Sequence, residues 1–207
     1  MATTASDCRL PVYGGRRARA RTWYFHMKGR LGYLRQFSRT DFSRVTRLVF
    51  VCKGNICRSP YAEARARQLG LRAASCGLEC PTGDDANAAA IGNALKRGLD
   101  LRLHRTARAA GLSLTPADLL VAMEPAHARC LEAIATACGA QLTLAGVWSR
   151  PYRPYIHDPF GLDDRCFQAC FTLLDSAVSG LRDQLLRAQG DTPYRGHPGT
   201  RTGSAAR

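Results

Sequence analysis

The chain has 207 residues, a formal net charge of +14, nine cysteines and a hydrophobic fraction of 45%. That length buries a core without disulfides or a structural metal, and that apolar content excludes wholesale disorder. No apolar run of about 18 residues is present to span a membrane, and no apolar stretch near the start reads as a secretory signal.

Residues 1–45 read as a basic, aromatic extension. Residues 1–47 hold eleven Lys/Arg against two acids, Asp7 and Asp41, so most of the chain's net positive charge lies there. Aromatics are interleaved with it, among them Trp23, Tyr24, Phe25, Tyr33, Phe37 and Phe42. Such a segment either straps its aromatics onto the domain with arginines outward, or contacts an anionic surface. A membrane would suit it if residues 23–37 formed an amphipathic helix. The Arg-rich, acid-poor start also resembles a mitochondrial transit peptide. No specific nucleic acid is implied.

Residues 46–188 read as one α/β domain. The run 47–52 (RLVFVC) is apolar and β-branched and ends in a glycine turn, as a buried parallel strand does. Ser59-Pro60 opens a helix that Gly70 stops. A second strand is expected over 71–77, an alanine-rich helix over 85–98, a third strand over 118–123 and a helix over 126–138. A fourth strand over 142–147 and a long helix over 163–188 follow. This alternation implies a three-layer sandwich around a central four-stranded parallel sheet, with a phosphate-binding loop after the first strand. Residues 189–207 are rich in Gly, Pro and Thr and read as a disordered tail.

The cysteines form no CxxC pair and no zinc-ligand spacing, and their number is odd. Mostly free thiols in a reducing, cytoplasmic compartment are expected, with Cys166 and Cys170 as small core-facing residues.

The loop Cys52-Lys53-Gly54-Asn55-Ile56-Cys57-Arg58-Ser59-Pro60 lies between the first strand and its helix. Consecutive backbone N–H groups at a helix N-terminus can converge on one anion. Gly54 is expected to supply a backbone conformation that other residues resist. Arg58 can clamp two phosphoryl oxygens, and the same field should hold Cys52 as a nucleophilic thiolate.

With these residues in place, VFVCKGNICRSPYAEA resembles the signature of the low-molecular-weight protein-tyrosine phosphatases. The resemblance extends over residues 46–188. Asp158 in His157-Asp158-Pro159-Phe160 matches the family's general acid. Ser75 and His104 match residues that join those matching Asn55 and Ser59 in a network bracing the loop. The resemblance implies hydrolysis of phosphotyrosine through a phosphocysteine, with no metal and no cofactor. The implied partner is a tyrosine-phosphorylated protein, tyrosine kinases included. It also implies that Cys57 forms a reversible disulfide with Cys52 that protects the nucleophile.

Several positions depart from better-known members. Phe160-Gly161 stands where many eukaryotic relatives have two tyrosines, and residues 78–83 lack an aromatic that often walls the substrate groove. Lys53 adds positive charge at the mouth. Two alternatives remain beside the phosphatase. One is a thioredoxin-coupled arsenate reductase of the same fold, which requires a cysteine at the end of the third strand. The other is a protein that binds anions or membranes through residues 1–45, peripheral at a membrane surface.

Overall fold

The computed structural model of the protein describes residues 15–190, with side chains from residue 18 onward. The expected tail therefore lies outside the described residues, apart from Gln189 and Gly190. Four strands, β1 (Arg47–Cys52), β2 (Ala73–Gly77), β3 (Asp118–Ala122) and β4 (Gln141–Leu144), form one parallel sheet in the order β2-β1-β3-β4. Five helices accompany them: α1 (Gly15–Arg30), α2 (Arg58–Gln68), α3 (Ala88–Leu95), α4 (Pro125–Cys138) and α5 (Asp164–Ala188).

Alternation along the central strands divides the core into two layers. Leu48, Phe50 and Cys52 of β1, with Leu119 and Val121 of β3, face α2, α3 and α5. Val49, Val51, Leu120 and Ala122 face α4 and the segment carrying Leu34 and Phe37. Because both faces are covered, β1 and β3 are apolar at nearly every position rather than alternating with polar residues. Tyr61 of α2 stacks on Phe171 of α5 at 3.7 Å between centroids, and Cys166 and Cys170 both point into the core. The sheet's lower end is pinned by Arg47, which donates from two nitrogens to Asp118 at 2.6 and 2.7 Å.

The fourth strand is shorter than its apolar run suggested. It stops at Leu144, and residues Ala145–Val147 form a 3-10 turn. The cause is Gly146, where a Cβ would lie 1.7 Å from the Arg153 carbonyl oxygen, so the returning chain crowds the backbone there. The alanine-rich helix is also shorter: Asn87 caps it by accepting from Ala90 N, and Asp85 is drawn instead into a bridge with Arg105.

The segment from α1 to β1 divides its aromatics by type. Phe25 stacks on Tyr155, Phe37 enters the core below β4, and Phe42 meets Trp148 edge-on. Trp23, Tyr24 and Tyr33 are exposed. The chain around Phe37 also covers the open edge of the sheet. Thr143 of β4 donates to the Phe37 carbonyl, and Gln141 exchanges two 2.8 Å hydrogen bonds with the Asp41 backbone. Among the described residues no helix is long and apolar enough to cross a membrane.

Candidate active site

The carboxyl end of β1 delivers Cys52 to the floor of a loop whose far side is the first turn of α2. Only 3% of Cys52 is exposed. Its Sγ accepts from the Asn55 backbone N–H at 3.2 Å and lies 3.0 Å from Ser59 Oγ. The loop thus sits on the positive end of an eleven-residue helix, where backbone donors and the helix field favour negative charge on sulfur or phosphate.

The special backbone conformation falls one residue later than the sequence suggested. Asn55 has φ +52°, the only positive φ of a non-glycine residue among those described, whereas Gly54 is not left-handed. Asparagine tolerates this region because its short amide can bond locally. Here every polar group of Asn55 is engaged. Nδ2 donates to Ser59 Oγ and Ser75 Oγ, both at 2.9 Å, and Oδ1 accepts from Ala107 N at 2.9 Å. Its carbonyl oxygen lies 2.8 Å from His104 Nε2, which must therefore carry the proton. Ser75 in turn donates to Glu63 at 2.5 Å. Ser59 Oγ accepts from Asn55, and its own proton has two acceptors in reach, the Cys52 sulfur at 3.0 Å and the Cys76 carbonyl at 3.4 Å, of which the sulfur is the nearer.

Gly77, at the end of β2, lets the loop come this close. A Cβ there would meet Cys80 Sγ at 2.6 Å, the Lys53 carbonyl at 3.0 Å and Asn55 Cβ at 3.1 Å. Of the remaining loop residues, Ile56 is half-buried against the core and accepts from Asn87 N through its carbonyl. Cys57 is buried, and burial pushes its thiol pKa up, with the Asp158 carboxylate adding to the effect. Lys53 is exposed and pairs with Glu79 at 3.4 Å at the mouth.

Arg58 opens α2 and is 1% exposed. Its Nη1 donates to Glu124 Oε1 at 2.6 Å and to the Ile156 carbonyl at 2.9 Å, and its Nη2 donates to Asp158 Oδ2 at 2.6 Å. Burial opposes the Arg58 charge, but Asp158, Cys52 and Glu124 outweigh it and raise the pKa. Asp158 is partly exposed, and its other oxygen accepts from Phe160 N at 3.2 Å. Cys52, Asn55, Arg58, Ser59 and Asp158 therefore meet at the carboxyl end of the sheet, as expected for a parallel α/β domain, while Ser75 and His104 bond to the loop through Asn55.

Two acids were not anticipated, and the helix weighed over residues 23–37 instead spans Gly15–Arg30. Glu124 lies two residues beyond β3 and is buried against Arg58. An acid just after the apolar run 119–123, at the sheet's ligand-facing edge, was the available signal. Glu63 of α2 anchors Ser75. From α1, Arg21 reaches within 4.0 Å of Glu124 Oε2 and lies 5.2 Å from the centre of the Tyr155 ring. The arsenate-reductase alternative requires a thiol where Met123 and Glu124 stand, beyond the end of β3.

Residues 47–190 match the family model described as low molecular weight phosphotyrosine protein phosphatase. The chain is 31% identical over 146 residues to the low-molecular-weight protein-tyrosine-phosphatase Wzb of Salmonella typhi, covering 70% of this chain and 97% of that protein. It is 34% identical over 147 residues to low-molecular-weight protein-tyrosine phosphatase A of Mycobacterium tuberculosis, covering 66% and 89%. Among solved structures, Vibrio vulnificus Wzb in complex with benzylphosphonate superposes with a TM-score of 0.59 at 29% identity, covering 68% of this chain and 99% of that one.

Proposed function

The chain belongs to the low-molecular-weight protein-tyrosine phosphatase family, and on that premise we propose that it hydrolyses phosphotyrosine in a phosphoprotein through a phosphocysteine on Cys52. It is a phosphoric monoester hydrolase of that class. The observation that best supports the proposed chemistry is the Cys52 sulfur on the loop floor, contacted by Asn55 N and Ser59 Oγ, beside Arg58 and Asp158 held 2.6 Å apart.

A substrate phosphoryl group entering the loop takes the Arg58 Nη2 from Asp158 and accepts the loop N–H groups on its equatorial oxygens. The Cys52 thiolate attacks phosphorus in line and the P–O bond to the phenol breaks. Asp158, released from Arg58 and holding the proton given up by the entering phosphate monoanion, passes that proton to the departing oxygen. Water then attacks phosphorus and loses a proton to the Asp158 carboxylate, and the P–S bond breaks to return the thiolate. Ser59 stabilises sulfur as the leaving group by donating to it. Glu124 holds Arg58 in position throughout.

The depth of Cys52 supports an aryl substrate. A nucleophile that is 3% exposed is reached by a phosphate carried on the long, flat tyrosine ring, whereas phosphoserine brings the peptide backbone against the mouth. Cys57, in the same loop, is proposed to condense with an oxidised Cys52, releasing water and forming a disulfide that thiols reduce. The substrate test compares phosphotyrosine, phosphoserine and phosphoarginine peptides in reductant and EDTA. Preferential release of phosphate from phosphotyrosine is expected. Preference for either other peptide would overturn the assignment.

A further inference from the structure

Helix α1 is apolar on two sides, and the domain covers only one of them. Ala18, Thr22 and Phe25 face inward, and Gly29 closes on Tyr152, where a Cβ would stand 2.3 Å from the hydroxyl. At about 100° per residue, Ala20, Trp23, Tyr24, Met27 and Leu31 fall together on the opposite, outward arc. Leu31 continues the helical ladder through its N–H to the Met27 carbonyl at 2.9 Å. Trp23 is 66% and Leu31 69% exposed, values that no packing need of the domain explains.

Cations flank this stripe on both sides. Arg19 and Arg30 border it on the Trp23 side, and Arg21 and Lys28 border it on the Tyr24 side. Lys28 Nζ lies 5.1 Å from the centre of the Tyr24 ring and 5.7 Å from that of Tyr33, which joins the two exposed tyrosines to a positive charge. Residues 15–31 contain no Asp or Glu.

We infer that the outward face of α1 docks the protein on an anionic lipid surface, with Trp23, Tyr24, Met27 and Leu31 entering the headgroup region. The amino-acid types fit that solvent boundary. The fully apolar phenylalanines of this segment all pack inward, while Trp and Tyr, which carry a polar atom on an apolar ring, are left outside. Residues 18–31 present an apolar centre with cationic borders, the pattern of an in-plane interfacial helix. A nucleic-acid surface would place its cations along the centre, where phosphates run. The same helix brings Arg21 to Glu124, so docking holds the catalytic mouth beside the membrane and its phosphoproteins.

The test is sedimentation of the full chain with vesicles of phosphatidylcholine alone or with added phosphatidylglycerol. Binding to the anionic vesicles, weak on the neutral ones and reduced by salt, is expected. Trp23→Ser with Leu31→Ser should lower partition about tenfold or more. Arg19→Gln with Arg30→Gln should lower it about thirtyfold. Turnover of a small aryl phosphate in solution should be unchanged in both variants, which shows that they fold. Vesicle binding is read independently of turnover, so an inactive protein that still sediments leaves this inference standing. Equal binding to neutral vesicles, no binding, or unchanged binding in the variants would overturn it. So would dimerisation lost in Trp23→Ser, or retention on nucleic acid without vesicle binding.

Discussion

Glu124 and Arg58 form a buried ion pair at 2.6 Å, between residues 66 positions apart in the chain. The pair sets the orientation of the guanidinium before any phosphate arrives. Asp158 takes the second Nη nitrogen and is the partner that a substrate is proposed to displace. One arginine is thus shared between a buried acid and a partly exposed one.

Glu124→Gln keeps the shape of the side chain but removes its charge. Arg58 then loses its permanent counter-charge and is drawn toward Asp158, away from the phosphate position. A fall in kcat/KM of about 10–100-fold is expected, in line with small misplacements of a catalytic group. Steady-state kinetics on an aryl phosphate check it, and an unchanged kcat/KM would show that Glu124 does not position Arg58.

Asp158→Asn removes the proposed proton donor. Turnover of phenyl phosphate should fall about 10²–10⁴-fold. The defect should shrink for p-nitrophenyl phosphate, whose phenolate leaves with little need of a proton. Equal defects on both substrates would mean that Asp158 acts through Arg58 rather than through proton transfer.

Asn55 combines a left-handed backbone with a fully used amide, and two substitutions separate the contributions. Asn55→Gly keeps the φ of +52° accessible but deserts Ser59, Ser75 and the Ala107 N–H. Asn55→Ala does the same and adds backbone strain. Each should destabilise the fold by about 1–3 kcal/mol for the abandoned buried groups. The alanine variant should be worse by about 1 kcal/mol. Denaturant melts measure the difference, and equal stabilities would contradict the strain argument.

His127 lies 3.6 Å from Glu124, which favours its proton, yet burial dominates and its pKa is lowered from 6.5 to about 4. The folded state therefore holds the imidazole neutral, and the stability it contributes is complete above pH 6.5. That contribution declines as pH falls from 6.5 toward 4, because the unfolded chain takes up a proton that the folded chain refuses. A His127→Gln variant should show a flatter loss of stability across this window. Melting temperature against pH tests it, and parallel curves would remove His127 from the acid response.

Peroxide followed by dithiothreitol tests the paired thiols. Wild type should recover activity, because Cys57 traps oxidised Cys52 as a disulfide. Cys57→Ala should recover far less, since Cys52 then proceeds to the irreversible sulfinic acid. Recovery equal to wild type would give Cys57 no protective part.

The legible parts of this molecule were those specified by neighbours in sequence. β1 occupies its expected residues, 47–52, because its six-residue apolar run passes straight into the Cys-x5-Arg loop. Asn87 and Asp163, each accepting from a backbone N–H three residues on, set helix starts within a few residues of the expected positions. The end of β4 was not legible, because the Arg153 carbonyl that crowds Gly146 belongs to a later loop. The left-handed residue was placed at Gly54 by composition, whereas tertiary bonding from Ser75, His104 and Ala107 stabilises it at Asn55. Glu124 escaped because its partner is 66 residues away and carries no mark in the local pattern. The segment before β1 read as a mixture of arginine and aromatics, and only packing separated the inward phenylalanines from the outward tryptophan and tyrosines.

The most direct test of the central claim is to quench Asp158→Asn in acid during turnover of an aryl phosphate and to map the phosphoryl group by mass spectrometry, with Cys52→Ser as the comparison. The account predicts one phosphoryl group on the peptide carrying Cys52, and no turnover in Cys52→Ser. Turnover that persists in Cys52→Ser, or a phosphoryl group found on another residue, would contradict it.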